Sequence, residues 1–308
     1  MIIYKSGDWL EALRHLHTSA VIRKLLKIVV LVGVYGTIVA VFELELLHLH
    51  VQVDGQYFSF LGIMLSLLLA FRTNTAYDRF YEGRRVWGQL VNNCRNMATL
   101  LNARLPADAF DHRIYLAKLL SNFPIALDGH LRHNVKFHRF EEPHAGFVEE
   151  LRSVNHVPAR VAAALQEYFE LLLAEGLILP EHLITLQRHH ETLLDVAGIC
   201  ERIQKTPIPF SYSFFIKGFI TTFILVMPFV LLENYSYFMV PISMFGAYAL
   251  LGVELIGDEI EDPFGKDSND LPLTQLANNI RRNVFEIMHV ELNQEKKDWA
   301  AAQYSVVF

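Results

Sequence analysis

Apolar and charged residues occur in separate blocks along this chain. Four apolar stretches stand out, at residues 25–42, 57–71, 214–232 and 237–253. The first is interrupted only by Lys27, the third carries Lys217, and the fourth has no charged residue. Stretches of this kind are typical of membrane-spanning helices. The pattern therefore predicts four transmembrane helices, arranged as two hairpins.

Basic residues are distributed unequally around the four predicted spans. The short connectors, residues 43–56 and 233–236, contain no Lys or Arg. The opposite flanks carry Arg23, Lys24, Lys27, Arg72, Arg79, Arg84, Arg85 and Lys205. Because basic flanks stay on the cytoplasmic side, we expect both termini and the long middle region to be cytoplasmic. Lys217 is near that side, so its side chain is expected to snorkel to the interface.

The middle of the chain has helical periodicity and no alternating strand pattern. Apolar residues recur every three or four positions over residues 75–104, 108–131, 157–173 and 181–204. The predicted fold is therefore all-α, with a cytoplasmic helical bundle interlocked with the membrane helices. We divide the chain into a first membrane hairpin (1–72), a cytoplasmic region (73–209), a second hairpin (210–256) and a C-terminal part (257–308), which begins at an acidic elbow and contains a helix and a tail.

Composition supports a membrane protein. Of 308 residues, 52% are hydrophobic, and the formal net charge is −6. No basic stripe is present, so nucleic-acid binding is disfavoured. The only cysteines are Cys94 and Cys200, which gives no disulfide framework. Residues 1–20 have no continuous apolar core, so no removable signal peptide is expected.

The second predicted span has two different faces. At helical spacing, Ile63, Leu67 and Phe71 form a bulky apolar face. A neighbouring stripe of small residues permits close helix packing; it consists of Gly62, Ser66 and Ala70. This span is shorter than the roughly 20 residues that cross a bilayer, so we expect protein to surround it. In one interpretation the bulky face lines a pore, and in the other both faces pack inside a four-helix bundle.

Three separated motifs resemble the bestrophin family, specifically its bacterial members. They are FRTNTAYDRFYEGRRVWGQL after the second span, CERIQKTPIPFSYSFF before the third, and ELIGDEIEDPFGKDSNDLPL at the end of the fourth. The resemblance covers about residues 59–283 and includes the spacing between the motifs.

The resemblance implies a homopentamer with one central pore. The pore would have a neck formed by Ile63, Leu67 and Phe71, and a cytosolic aperture at Glu181, where many members carry an aliphatic residue. Such a protein is a passive ion channel of the bacterial inner membrane, and its partners are its own copies, membrane lipids and permeating small ions. Bacterial members favour monovalent cations, whereas animal members favour anions, so a chloride channel of the same architecture is the alternative.

An acidic cluster follows the fourth span. Animal bestrophins hold Ca²⁺ at this place, and the matching residues are Glu259, Asp262, Asp267 and Asp270. The oxygen ligands suit Ca²⁺ or Mg²⁺, although no cofactor is expected to be required. The alternative is that the carboxylates of the whole cluster form salt bridges with Arg281, Arg282 or the arginines after the second span. The cluster consists of Glu254, Asp258, Glu259, Glu261, Asp262, Asp267 and Asp270.

Two other classes of function compete with a channel. One is a membrane-embedded enzyme that uses a metal at the acidic cluster, and the other is a membrane scaffold without a pore. The sequence contains no nucleophile motif such as Gly-x-Ser-x-Gly, so an enzyme is not expected.

No metal site is expected among the fourteen histidines, including the pairs His130 with His133, His189 with His190, and His48 with His50. Trp87 is predicted to lie in the core.

Overall fold

In a computed structural model of the chain, residues 20–47, 54–267 and 269–292 are described, and all regular structure within these residues is helical. The all-α prediction is confirmed. Short 3₁₀ turns lie at Phe137–Arg139 and Ser236–Phe238, and a π-helical turn, Phe42–Leu47, extends the first helix. The α-helices are α1 (Ala20–Val41), α2 (Gly55–Arg104), α3 (Phe110–Leu131), α4 (Phe147–Arg152), α5 (Val157–Ala174), α6 (Pro180–Lys205), α7 (Phe210–Tyr235), α8 (Met239–Glu261) and α9 (Leu273–Ile287).

Helix α2 is the longest element, with 50 residues. At about 1.5 Å per residue it is about 75 Å long, well beyond the roughly 30 Å hydrocarbon layer of a bilayer. Asp54 caps its first turn by accepting a 2.8 Å hydrogen bond from the backbone N–H of Gln56. The predicted span at 57–71 and the predicted helix at 75–104 are therefore parts of one helix. The boundary drawn at 72/73 lies inside α2, and the boundary at 256/257 lies inside α8.

Among the residues that the structure describes, three helical stretches are long and apolar enough to cross a membrane: Val21–Leu46, Gly55–Arg104 and Phe210–Glu261. The third stretch contains α7 and α8, which are joined at Ser236, a residue with a φ of 48°. These two helices run antiparallel, and Gly246 of α8 lies against Met227 of α7. Helix α1 packs on α8, where Gly33 faces Met244. The two-hairpin topology with four spans stays a prediction.

The helices of the middle region, together with the last described helix, share one apolar core. It is built by the second half of α2 together with α3, α5, α6 and α9. Trp87, Phe123 and Phe169 are fully buried within it, so the core position predicted for Trp87 is confirmed. Because α2 also packs on α7 and α8, one helix links the apolar layer to this core.

The loop between α8 and α9 is fastened to α2. Phe264 of this loop packs against Gly83 of α2, where an added Cβ would lie 3.1 Å from the phenyl ring. A side chain at residue 83 would therefore push Phe264 away. Because Gly83 has no side chain, Phe264 can lie directly against α2, and this contact fixes the acidic elbow to the long helix.

Candidate ion pathway and its supporting charges

The predicted neck residues share one exposed face of α2. The exposed fractions of Ile63, Leu67 and Phe71 are 70%, 56% and 56% in the single chain. The opposite face is packed, because Leu65 and Leu69 are buried against α7 residues Ile216, Ile220 and Ile224. Helix α2 thus turns one apolar face toward its own chain and presents the other outward. An outward apolar face of this size is typical of a surface that meets lipid, another chain or a pore.

The small-residue stripe is only partly used within the chain. Gly62 faces Phe223 of α7, and an added Cβ would lie 3.2 Å from the ring. Ser66 and Ala70 are exposed, and the Ser66 hydroxyl donates a 2.8 Å hydrogen bond to the carbonyl of Gly62. The packing face inside the chain is instead formed by Leu65 and Leu69. The predicted role of the stripe between chains stays a prediction.

Glu181 lies exposed in the first turn of α6. The partial positive charge of a helix N-terminus stabilises a carboxylate there. Its carboxylate forms no ion pair or hydrogen bond with any residue that the structure describes. The side chain is therefore free to act on mobile ions.

A buried charge cluster joins α2, α7 and α8. Arg72 is 1% exposed, and its Nη1 lies 2.7 Å from Glu254 Oε1, while its Nη2 pairs with Asp258. Lys217 Nζ lies 2.9 Å from Asp258 Oδ2 and 3.5 Å from Glu254 Oε1. A lysine within a span has to snorkel or pair, and Lys217 pairs with these two carboxylates of the neighbouring helix. Its side chain is also 49% exposed, so snorkelling stays a prediction. Two cations and two anions compensate one another where a lone charge would be costly.

Arg79 lies about two turns after Arg72 on α2 and donates hydrogen bonds to the ends of two other helices. Its guanidinium donates hydrogen bonds to the carbonyls of Glu261 at 3.1 Å and Ile203 at 2.7 Å, and to the carbonyl of Thr206. These carbonyls belong to the C-terminal ends of α8 and α6, where backbone acceptors lack helical partners. Arg72 and Arg79 of the second-span motif therefore stabilise the junction between the apolar helices and the helical bundle.

The acidic elbow brings several of the predicted ligand residues together. Asp262 Oδ2 and Asp270 Oδ2 both approach Gly265, since an added Cβ there would lie 3.2 Å and 2.5 Å from them. Asp270 Oδ2 accepts a 2.5 Å hydrogen bond from the backbone N–H of Asp267. Glu259 Oε2 accepts a 3.1 Å hydrogen bond from the Asn269 amide.

None of the four elbow carboxylates forms an ion pair with a residue in the described ranges. The predicted salt bridges to Arg281 and Arg282 are wrong for this cluster. Arg281 lies 3.5 Å from Glu141, and Arg282 donates a hydrogen bond to Asn279. The predicted pairing with arginines after the second span is confirmed for Arg72, which pairs with Glu254 and Asp258 and lies 3.9 Å from Glu261. Burial raises the pKa of Asp270 to about 6, and the neighbouring charges of Asp267, Asp262 and Glu259 act in the same direction. A cation at the elbow would relieve this repulsion, and Asp262 and Asp270 are the two carboxylates that converge near Gly265. Within the described residues, no three of the elbow carboxylates lie close enough together to share one ion as the chain stands.

A cluster of two histidines and a glutamate lies in the helical bundle and was not predicted from the sequence. Glu201 Oε1 accepts hydrogen bonds from His156 Nε2 at 2.6 Å and His130 Nε2 at 3.1 Å, and Lys205 lies 2.8 Å from Glu201 Oε2. Burial alone would raise the pKa of Glu201, but hydrogen bonds from Lys205 and His156 lower it to about 2.

His130, His156 and Glu201 have the atom types of metal ligands, but the hydrogen bonds of His156 show that this residue caps a helix. His156 Nδ1 accepts a 3.1 Å hydrogen bond from the backbone N–H of Ala159 and so caps α5. The proton of the neutral ring therefore lies on Nε2 and points to Glu201, where a metal would need a bare nitrogen. His189 and His190 bond to different partners, Asn93 and Ala162. His48 and His50 lie outside the described residues.

Comparison with known proteins gives a family match over most of the chain. The family described as bacterial and fungal bestrophin proteins matches residues 1–286. A protein of Nostoc sp. named a voltage-dependent anion channel-forming protein is 34% identical over 241 residues, which cover 77% of this chain and 78% of the relative. A protein of Escherichia coli K12 with the same functional name is 29% identical over 253 residues, or 80% of each chain.

A solved structure has the same fold. The crystal structure of a bacterial bestrophin homologue from Klebsiella pneumoniae aligns with a TM-score of 0.81 at 26% identity, covering 86% of this chain and 98% of that chain. The similarity includes both the apolar helices and the cytosolic core, since so much of each chain is aligned.

Proposed function

This chain belongs to the bacterial and fungal bestrophin family, and we propose that five copies assemble around one axis and conduct ions passively between their α2 helices. The family and its channel-named relatives make it a membrane ion channel and not an enzyme. The proposal rests above all on the outward face of α2. Four helices of one chain do not enclose a conduit, whereas a cyclic assembly repeats the same face around an axis.

The neck in this proposal consists of Ile63, Leu67 and Phe71. Apolar rings offer a permeating ion no replacement for its hydration shell, and a narrow ring can close by dewetting. Exposure of these side chains beside the packed Leu65 and Leu69 supports the assignment. Ser66 and Ala70 would then pack against the neighbouring copy, where their small size permits close approach.

Cation preference is the selectivity that the chain's own residues favour. Glu181 carries an exposed carboxylate without a partner among the described residues, and five symmetric copies would form an acidic ring at the cytosolic aperture. Such a ring attracts cations and repels anions. The charge of one residue therefore gives the sign of the expected selectivity.

Anion conduction is the second candidate. Its support is that relatives from Nostoc sp. and Escherichia coli are named voltage-dependent anion channel-forming proteins. In this case the neck would have the same role, and Glu181 would lie off the permeation path.

The proposed location is the bacterial inner membrane, with both termini and the helical core in the cytoplasm. The basic residues on the cytosolic flanks support this orientation.

At the elbow, we propose a Ca²⁺ or Mg²⁺ ion held by Glu259, Asp262, Asp267 and Asp270, which stabilises the structure without taking part in chemistry. Carboxylates without arginine partners support this role.

The deciding experiment is current measurement in bilayers containing only the purified protein. With a tenfold KCl gradient, a cation-selective pore reverses near the potassium potential, about 59 mV from zero, and an anion-selective pore near the same magnitude with opposite sign. Mass measurement of the detergent-solubilised complex should give five chains. A complex that gives no ion flux would support the scaffold function, and a tetramer or dimer would contradict the pentameric pore.

A further inference from the structure

A strongly basic cleft lies on the cytosolic side of the elbow, away from the proposed pore residues. Its volume is about 210 Å³, and it opens between the end of α3, the segment that follows α3, and the start of α9. Four cationic side chains line it: Arg132, Lys136, Arg139 and Lys266. Asp128 is the one carboxylate among the lining residues, so the lining carries a net charge of +3.

The Asp128 carboxylate leaves the cleft basic, and both of its oxygens already contact other residues of the lining. Asp128 Oδ2 accepts hydrogen bonds from Arg139 Nη1 at 2.6 Å and Thr274 Oγ1 at 2.8 Å. Its Oδ1 lies 3.2 Å from Arg132 Nη1. Asp128 therefore holds the two arginines in place at the base of the cleft.

The two lysines at the rim remain available. Lys136 and Lys266 are exposed, and neither ammonium forms an ion pair or hydrogen bond within the described parts of the chain. They come from different segments, one after α3 and one in the elbow loop. The fold thus brings two unpaired cations to one cleft that already contains two arginines.

We propose that this cleft binds a phosphate group, either of a small soluble anion or of an acidic lipid headgroup. Oxyanions accept several charge-assisted hydrogen bonds at once, and both guanidinium and ammonium groups are suited to phosphate oxygens. The lining residues have no apolar side chain, unlike the mostly apolar pockets that bind neutral organic ligands. The volume exceeds the roughly 30 Å³ of one water several times, so a phosphate group fits.

The cleft is connected to the elbow through Arg132. Its Nε donates a 3.3 Å hydrogen bond to the carbonyl of Phe264, and its Nη2 a 3.3 Å bond to the carbonyl of Leu271. Arg132 therefore fastens both ends of the elbow loop, while Phe264 rests on Gly83 of α2. A phosphate bound in the cleft would contact Arg132, which also donates these hydrogen bonds to the elbow loop. Binding of phosphate would therefore alter the hydrogen bonds that hold the elbow.

Binding of pyrophosphate to the full-length assembly, measured calorimetrically at constant ionic strength, tests the site. The double variant Lys136→Ala/Lys266→Ala should weaken binding at least tenfold, because it removes two of the four cations. Lys136→Arg/Lys266→Arg should retain binding within about threefold, since the charge is kept. The matched control is Arg95→Ala/Arg188→Ala, which removes two exposed cations far from the cleft and should bind like the wild type.

A second set of measurements separates the two sources of the phosphate group. Wild-type protein in nanodiscs with and without phosphatidic acid shows whether a lipid headgroup fills the cleft, because the lipid would then compete with pyrophosphate. Competition identifies the lipid as the occupant, and its absence identifies a soluble anion. The proposal is overturned if wild-type protein binds neither pyrophosphate nor phosphatidic acid, or if the lysine-to-alanine variant and the arginine control bind equally well.

Discussion

Arg72 Nη1 and Glu254 Oε1 lie 2.7 Å apart although 182 residues separate them in the chain. Both side chains are almost completely buried, so the pair is one of the places where the two predicted membrane hairpins are held together. Removing one partner of a buried pair leaves an uncompensated charge, which costs more than the pair itself contributes.

We expect Arg72→Met to destabilise the protein by about 3 kcal/mol or more, because Lys217 alone would face Glu254 and Asp258. Thermal unfolding of the purified assembly measures the loss. Arg85→Met is the control, since Arg85 is exposed on the same helix and its removal should change stability by less than about 0.5 kcal/mol. Adding Glu254→Gln to Arg72→Met should recover part of the stability, and purely additive losses would show that the two residues are not coupled.

Leu67→Ser should increase the single-channel current, because a polar ring of five hydroxyls lowers the cost of wetting the neck. Val34→Ser is the control, since Val34 is 57% exposed on α1 and is not assigned to the pore. Its current should equal that of the wild type. Equal currents for Leu67→Ser and Val34→Ser would contradict the assignment of this face to the pore.

Glu181 should determine selectivity at low salt if it surrounds the cytosolic aperture. Glu181→Gln should reduce cation selectivity, and Glu181→Lys should move the reversal potential toward that of chloride. The shifts should shrink as the Debye length falls from about 30 Å at 0.01 M to about 10 Å at 0.1 M salt. Glu191→Gln, an exposed carboxylate on the same helix, should have no effect. Unchanged reversal potentials in both Glu181 variants would place the aperture elsewhere.

Ca²⁺ or Mg²⁺ should raise the thermal midpoint of the wild-type protein, and EDTA should reverse the effect. The rise reflects binding to the folded elbow, where the carboxylates have no basic partner among the described residues. Asp262→Asn/Asp270→Asn should abolish the response to the cation. Identical midpoints with either cation and with EDTA would exclude the metal.

Glu201 should give the cytosolic core a stability that is lost in acid. Its pKa is about 2 in the folded protein and 4.5 in the reference state, so the folded protein favours the charged carboxylate. The contribution, at most about 3 kcal/mol, is fully present above pH 4.5 and decreases as the pH falls toward 2. Glu201→Gln should therefore lower the unfolding midpoint at pH 7 and much less at pH 3. The exposed Glu191→Gln serves as control, and an equal loss for Glu201→Gln at both pH values would contradict the role of the charge.

Helical periodicity predicted the elements well because each helix buries one continuous face. The predicted cytosolic helix at residues 108–131 corresponds to α3, which begins at Phe110, and the one at 181–204 corresponds to α6, which begins at Pro180. Helices that continue from the membrane spans into the helical bundle were expected, but the unbroken helix through residues 72–75 was not specified. Charged residues there end the apolar stretch. Arg72 is nevertheless buried within the continuous helix, because Glu254 and Asp258 pair with it.

Side-chain partners far apart in sequence were harder to predict. The two partners of Lys217 could not be identified from the sequence, because these carboxylates belong to another helix. The cluster of His130, His156 and Glu201 has no sequence spacing that indicates it, since tertiary packing alone brings three segments together. One local signal was present: His156 directly precedes the Val157–Pro158 start of α5, a position where a side chain caps the first turn.

The distance along the chain between Arg72 and Glu254 imposes an order on biogenesis. At about 5–20 residues per second, synthesis of the intervening residues takes roughly 10 to 40 s. During this time the ribosome has released α2 with its cation, but the carboxylates that compensate it do not yet exist. A lone arginine is costly within a bilayer, so we expect the charged turn of α2 to stay at the membrane surface until α8 has been made. In the proposed assembly, α2 would then reach its final depth and join other copies only after the second predicted hairpin is complete.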